Sequence, residues 1–242
     1  MIELIPAIDI IGGKCVRLVQ GSYRQKKVYA DRPVEVALAF EDLGIRRLHL
    51  VDLDGARAGR VVNLDILRSI ADHTSLIIDF GGGIKSDADI QSAFEAGAAM
   101  VTAGSIAAID RGTVIKWLEH YGPERIILGT DTREGKISIH AWQEDTVLDV
   151  FDFIEGYQGL GITRLICTDI VRDGMLGGPA LDLYKALRER FPALYIIASG
   201  GIAGMEDIRA LDRAGIHGVI FGKAYYEGKI TSPEIKKILN ER

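Results

Sequence analysis

The chain has 242 residues, 48% of them hydrophobic and 26% charged, with a formal net charge of -5. These proportions exclude a disordered chain and supply ample material for a core. The acidic balance argues against a general nucleic-acid surface, whose phosphate contacts need concentrated Lys and Arg, so any anionic ligand must be held by local groups.

No apolar run approaches the roughly 20 residues of a membrane span. The N-terminal MIELIPAID has neither a basic region nor a signal-like apolar core, so a cytosolic protein with no membrane partner is expected. Cys15 and Cys167 lie far apart with no C-x-x-C, and the five histidines show no ligand spacing. Free buried thiols are expected, and no metal is required.

In chain order, the short apolar runs LIPAID, RLHLVD, SLIIDF, MVTAG, RIILGTD, RLICTD, LYIIAS and GVIFG read as eight strands, each followed by a helical candidate. PVEVALAFEDLG begins with Pro33, suited to a first helical turn, and stops at Gly44. DADIQSAFEAG and MEDIRALDRAG repeat apolar positions three and four apart and also end in Gly. Strands apolar on both faces, alternating with helices, predict a covered parallel sheet, and eight such units close a (β/α)8 barrel. Length leaves one large domain or two small ones open, since α/β barrels run to about 250 residues.

An internal repeat decides between them. An offset of 118 aligns Gly82 with Gly200, Gly83 with Gly201, Ile84 with Ile202, Asp89 with Asp207, Gly97 with Gly215 and Gly104 with Gly222. Near the chain start, IPAIDIIGGK matches ILGTDTREGK at an offset of 122, pairing Asp9 with Asp131. The middle of the chain, EHYGPERIILG, is another helix-to-strand turn and shows no linker. The expectation is one barrel domain over residues 1–242, built from two similar half-barrels.

In such a barrel the loops at the carboxyl ends of the strands form the site. Asp9 and Asp131 end the first and fifth strands, on opposite sides of the ring. A carboxylate inside an apolar strand is either a structural ion pair or chemistry, and two in the same frame favour general acid–base work. The runs GGGIKS and AGSI, with their counterparts SGGIAG and FGKA, have the character of phosphate cradles, because glycine lets backbone N–H groups close on an anion. Two cradles predict a ligand with a phosphate at each end. Thr168 ends the sixth strand within reach of these groups. Asp52 fits helix capping or a salt bridge as well as chemistry. Trp142 is either an indole that stacks on a flat ring or ordinary packing. Arg17 and Lys85 are candidates for phosphate pairing, against a reading as solvated surface charges.

The segments IPAIDIIGGKCVRLVQGSY, HLVDLDGA, GGGI, DTREGKISIHAWQE, TDIVRDGMLGGP, IASGGI and GKAYYEGK together resemble, over essentially the full chain, the isomerases of histidine biosynthesis that act on phosphoribosylformimino-aminoimidazole carboxamide ribotide (ProFAR). The resemblance implies a (β/α)8 barrel that is monomeric and cofactor-free. It would catalyse an Amadori rearrangement of an aminoaldose to an aminoketose. It assigns Asp9 as general base, Asp131 as general acid and Thr168 as an assisting hydroxyl, with Asp173 closing a glycine-rich loop that includes Gly174. The phosphates would rest on Gly82, Gly83, Gly104 and Ser105 at one end. At the other they would rest on Gly200, Gly201, Gly222 and Lys223, beside Ser199.

Lys85 stands where the family often has Arg, keeping charge without bidentate geometry. Asp79 and Phe80 stand in place of smaller apolar residues. PAID, where the sister cyclase has PCLD, marks the isomerase version. A bifunctional isomerase that also takes phosphoribosylanthranilate is the alternative, and a non-catalytic phosphosugar-binding protein a remote one.

Overall fold

The computed structural model describes residues 1–241. β1 (Glu3–Ile11) leads into an antiparallel hairpin of β2 (Lys14–Val19) and β3 (Ser22–Ala30). β4 (Arg47–Asp52), β5 (Ile77–Gly81) and β6 (Met100–Ala103) complete the first half. β7 (Ile126–Arg133) opens the second half and runs into antiparallel β8 (Lys136–Ile139) and β9 (Glu144–Asp149). β10 (Arg164–Asp169), β11 (Tyr195–Ser199) and β12 (Gly218–Phe221) follow.

β1, β4, β5, β6, β7, β10, β11 and β12 pair in parallel in that order, and β12 returns to β1, closing a (β/α)8 ring. These are the eight strands expected. The hairpins after β1 and β7 were not anticipated as strands, and the reason is composition. β3 and β9 present mostly exposed, polar side chains and lack the apolar runs that mark the barrel strands.

Alternation along each barrel strand divides the apolar residues into two layers. Outward-facing Ile8, Leu48, Leu50, Ile78, Phe80, Leu128, Leu165 and Ile196 join the helices in the large outer core. Inward-facing Ile5, Ala7, Met100, Ile127, Ile166, Ile197 and Ile220 form a smaller cluster that plugs the barrel. Helices Pro33–Asp42, Asp87–Glu95 and Met205–Arg213 occupy the stretches that periodicity predicted.

The duplication is visible in the backbone. Gly82 and Gly83 have φ of 94° and 81°, and their counterparts Gly200 and Gly201 have 95° and 84°. A Cβ on Gly82 would lie 2.2 Å from the Asp52 carbonyl oxygen, and one on Gly200 2.6 Å from that of Asp169. The same turn, pressed against the end of the preceding barrel strand, is used twice.

Gly82→Ala therefore meets both left-handed strain and a backbone clash, at a cost of at least about 2 kcal/mol. Its melting temperature should fall by at least roughly 4 °C. Gly104 has nothing within 4 Å of its Cβ position and a negative φ of -89°, so Gly104→Ala should melt within about 1 °C of the parent. Equal melting temperatures for the two variants would contradict this reading.

Candidate active site at the carboxyl mouth of the barrel

The candidate catalytic and phosphate-binding residues all line one cavity at the carboxyl ends of the barrel strands. Asp9, Arg17, Asp131, Thr168 and Asp173 stand within it. Gly82, Gly83, Lys85, Gly104 and Ser105 lie on one flank, with Ser199, Gly200, Gly201, Gly222 and Lys223 on the other.

Asp9 sits on β1 and pairs with Arg17 of β2, Arg17 Nη1 lying 2.8 Å from Asp9 Oδ2. Both side chains are largely buried, at 14% exposure for Arg17 and 13% for Asp9. Arg17 Nη2 also donates to the Ala7 carbonyl at 2.7 Å. Its Nε is buried with no partner, and the guanidinium lies against Gly222, where a Cβ would be 1.7 Å from Nη2. The sequence left open an ion pair for Asp9 and a phosphate partner for Arg17. The ion pair exists, and the same guanidinium also borders the Gly222 turn at the end of β12.

Asp131 sits across the ring on β7. Trp142 Nε1 donates to its Oδ2 at 2.7 Å, and the Thr168 hydroxyl hydrogen-bonds the same carboxyl from the paired position on β10. Burial raises the Asp131 pKa and outweighs the opposing pull of these hydrogen bonds and of His49. Trp142 is half-buried and packs over Gly21 of the first hairpin, so its indole serves Asp131 and ties the loop after β7 to the loop after β1.

Asp173 lies in the loop after β10. Burial, reinforced by the charges of Asp9 and Asp131, pushes its carboxyl up to about 6 against the pull of Arg17 and Lys223. The loop is fastened to both halves of the mouth. Lys223 Nζ donates to the Gly174 carbonyl at 2.6 Å, Gln20 Nε2 donates to that of Val171 at 2.8 Å, and Gly178 N–H donates to that of Gly201 at 2.9 Å.

Ser105 follows Gly104 at the end of β6, and its hydroxyl accepts the His140 N–H at 3.1 Å. Lys85 is half-buried at the cavity edge beside Gly59. Asp52 is a structural cap. It accepts from Gly55 N–H at 2.8 Å, Val62 N–H at 2.7 Å and Asn63 N–H at 2.8 Å, and is fully buried.

Sequence reasoning passed over His49. It lines the same cavity from β4, and its Nδ1 is hydrogen-bonded to the buried carboxylate of Asp79 on β5. The available signal was Asp79, a carboxylate inside the apolar run SLIIDF.

Among the described residues no group of His, Cys, Asp or Glu is arranged to hold a metal ion, and no helix is long and apolar enough to cross a membrane.

The raised carboxyl of Asp173 has a thermodynamic consequence. Above about pH 6 the folded state must keep charged a group that ionises near 3.8 when exposed. Stability is therefore lost as pH rises through that window. Asp173→Asn should gain up to about 3 kcal/mol at pH 8 and little near pH 3.5, read as melting temperatures at the two pH values. An equal gain at both would contradict the assignment.

Residues 3–231 match the family described as "Histidine biosynthesis protein". A curated relative from Parabacteroides distasonis is 61% identical over 230 residues, covering 95% of this chain and 96% of its own length. One from Bacteroides thetaiotaomicron is 57% identical over 239 residues, covering 99% and 100%. One from Flavobacterium johnsoniae is 49% identical over 237 residues, covering 98% and 99%. All three are named 1-(5-phosphoribosyl)-5-((5-phosphoribosylamino)methylideneamino) imidazole-4-carboxamide isomerase. Matched from end to end at this level of identity, the chain belongs to the histidine biosynthesis protein family.

Proposed function

We propose that this protein is the aldose–ketose isomerase of histidine biosynthesis, converting the aminoaldose ribotide ProFAR to its aminoketose by an Amadori rearrangement. The observation that carries the reading is the pairing of Asp9 and Asp131 on opposed strands of one cavity, with matched glycine turns on either flank. The relatives' shared name supplies the reaction.

A substrate with two phosphates spans the mouth. One phosphate rests on the N–H groups around Gly82, Gly83, Gly104 and Ser105, with Lys85 nearby. The other rests on those around Gly200, Gly201 and Gly222, with Lys223 and the unpartnered Arg17 Nε. Anchoring both ends fixes the sugar between the carboxyls, the positioning that makes a proton transfer effectively intramolecular.

Asp131, whose carboxyl burial favours in the protonated form, delivers its proton to the ribosyl ring oxygen. The C1′–O bond breaks and a protonated Schiff base forms. Asp9 takes the C2′ proton, leaving an enolamine that tautomerises to the ketone. Thr168 holds Asp131 in place, and the loop carrying Asp173 and Gly174 covers the reactants against water. The same reading has the protein working in the cytosol as a monomer, on a small-molecule partner and without a cofactor.

A second scheme is favoured by one observation. Asp173, with its carboxyl at about 6, is another proton-bearing group over the same cavity and is placed to act as the acid.

With purified aminoaldose, Asp9→Asn and Asp131→Asn should each lose about 100- to 10,000-fold in kcat. Near-wild-type turnover in either would overturn that residue's role. The wild-type kcat/KM should decline on the alkaline side as the acid loses its proton. That limb should vanish from the residual activity of Asp131→Asn under the first scheme, and from that of Asp173→Asn under the second. Phosphoribosylanthranilate is the comparison substrate, with little or no turnover expected.

A further inference from the structure

The two halves of the barrel differ inside at one place that bears on the chemistry. In the second half, Ile166 of β10 pairs with Ile197 of β11, and both belong to the apolar plug. The corresponding pair in the first half, His49 of β4 and Asp79 of β5, occupies the same register and is ionisable.

Asp79 is completely buried, and its two oxygens are both engaged. One meets His49 Nδ1, and the other lies 3.1 Å from Arg47 Nε. Arg47, itself 3% exposed, reaches on to Glu3 at 3.3 Å, and Glu3 accepts the Tyr195 hydroxyl at 2.8 Å. Burial alone would raise the Asp79 pKa, but His49 and Arg47 hold it below its ordinary value, so the group is an anion. Arg47 Nη2 remains buried without a partner.

Such a chain is a poor device for stability. Burying paired charges costs desolvation that their attraction barely returns, and well-packed apolar residues of similar size do at least as well. This fold demonstrates the apolar alternative in its own other half. What the charged version provides is direction. With Nδ1–H donated to the Asp79 carboxylate, the ring's remaining polar atom, Nε2, is an acceptor, and the imidazole lines the same cavity as Asp131.

Resting on the isomerase reading above, we propose that Asp79 is a positioning residue, braced by Arg47, that fixes the His49 ring so that its Nε2 lone pair accepts a hydrogen bond from a hydroxyl of the bound sugar beside Asp131. Asp79 itself touches no substrate. An amide at position 79 can present N–H to Nδ1 and so invert the ring's donor and acceptor pattern, while leaving volume and packing unchanged.

The test is Asp79→Asn, measured beside the wild type for kcat, KM, melting temperature and the 15N resonances of His49. The expected result is a loss of at least about 10-fold in kcat with KM within about 3-fold, a melting temperature within a few degrees, and loss of the Nδ1–H signal. An unchanged kcat in the folded variant overturns the proposal, as does a loss that appears only where the variant is unfolded. If the variant does not fold, the wild type decides. Titration with the aminoketose product should shift His49 Nε2 and leave Nδ1 in place, and a silent Nε2 overturns the proposal. A wild type that binds the ribotide without converting it would count against the isomerase reading, whereas a converting wild type with a silent Nε2 counts against the Asp79 assignment alone.

Discussion

Closure of the ring is the constraint from which the site follows. Parallel pairing of β12 with β1 and of β7 with β10 leaves the eight-stranded ring without an edge and turns all eight carboxyl ends to one mouth. Residues separated by more than 120 positions, such as Asp9 and Asp131, then face one another without any local sequence signal joining them. The apolar plug beneath closes the floor, so the carboxyls at the mouth lie on low-dielectric material. Burial is the largest influence on both Asp131 and Asp173, and in both it acts against the charged form.

Duplication turns this geometry into a two-ended site. The glycine turns after β5 and β11 are held to the same φ values because each presses onto the end of the preceding barrel strand. A residue with a side chain fits neither place. The backbone N–H groups are therefore set in advance, which lowers the ordering cost of the anion binding proposed there. The halves diverge where the chemistry needs asymmetry. Arg17 supplies a guanidinium beside one cradle, Trp142 an indole N–H at one carboxyl, and the His49–Asp79 pair stands where the other half has two isoleucines.

Much of this is legible in the amino-acid sequence alone. The eight barrel strands announce themselves as short apolar runs because they are covered on both faces, and the glycine repeat reveals the twin halves. The hairpins after β1 and β7 stayed hidden because their outer strands are solvent-facing and polar, with no buried face to impose a period of two. Asp9 drew notice as a carboxylate in an apolar strand. Asp79 is the same anomaly, but its meaning depends on His49, thirty residues earlier in sequence and directly opposite only once β4 and β5 pair. The Asp9–Arg17 ion pair was similarly open, since it forms through an antiparallel turn that Gly12 and Gly13 permit.

The central claim is that one ligand is held by both cradles at once with its reacting carbons between two opposed carboxyls. A crystal structure of the protein with the aminoketose product tests it most directly. The account predicts one phosphate at Gly83 and Ser105, the other at Gly201 and Gly222, and the former C1′–C2′ unit between Asp9 and Asp131. A product with one phosphate in solvent, or bound away from the carboxyl mouth, would contradict it.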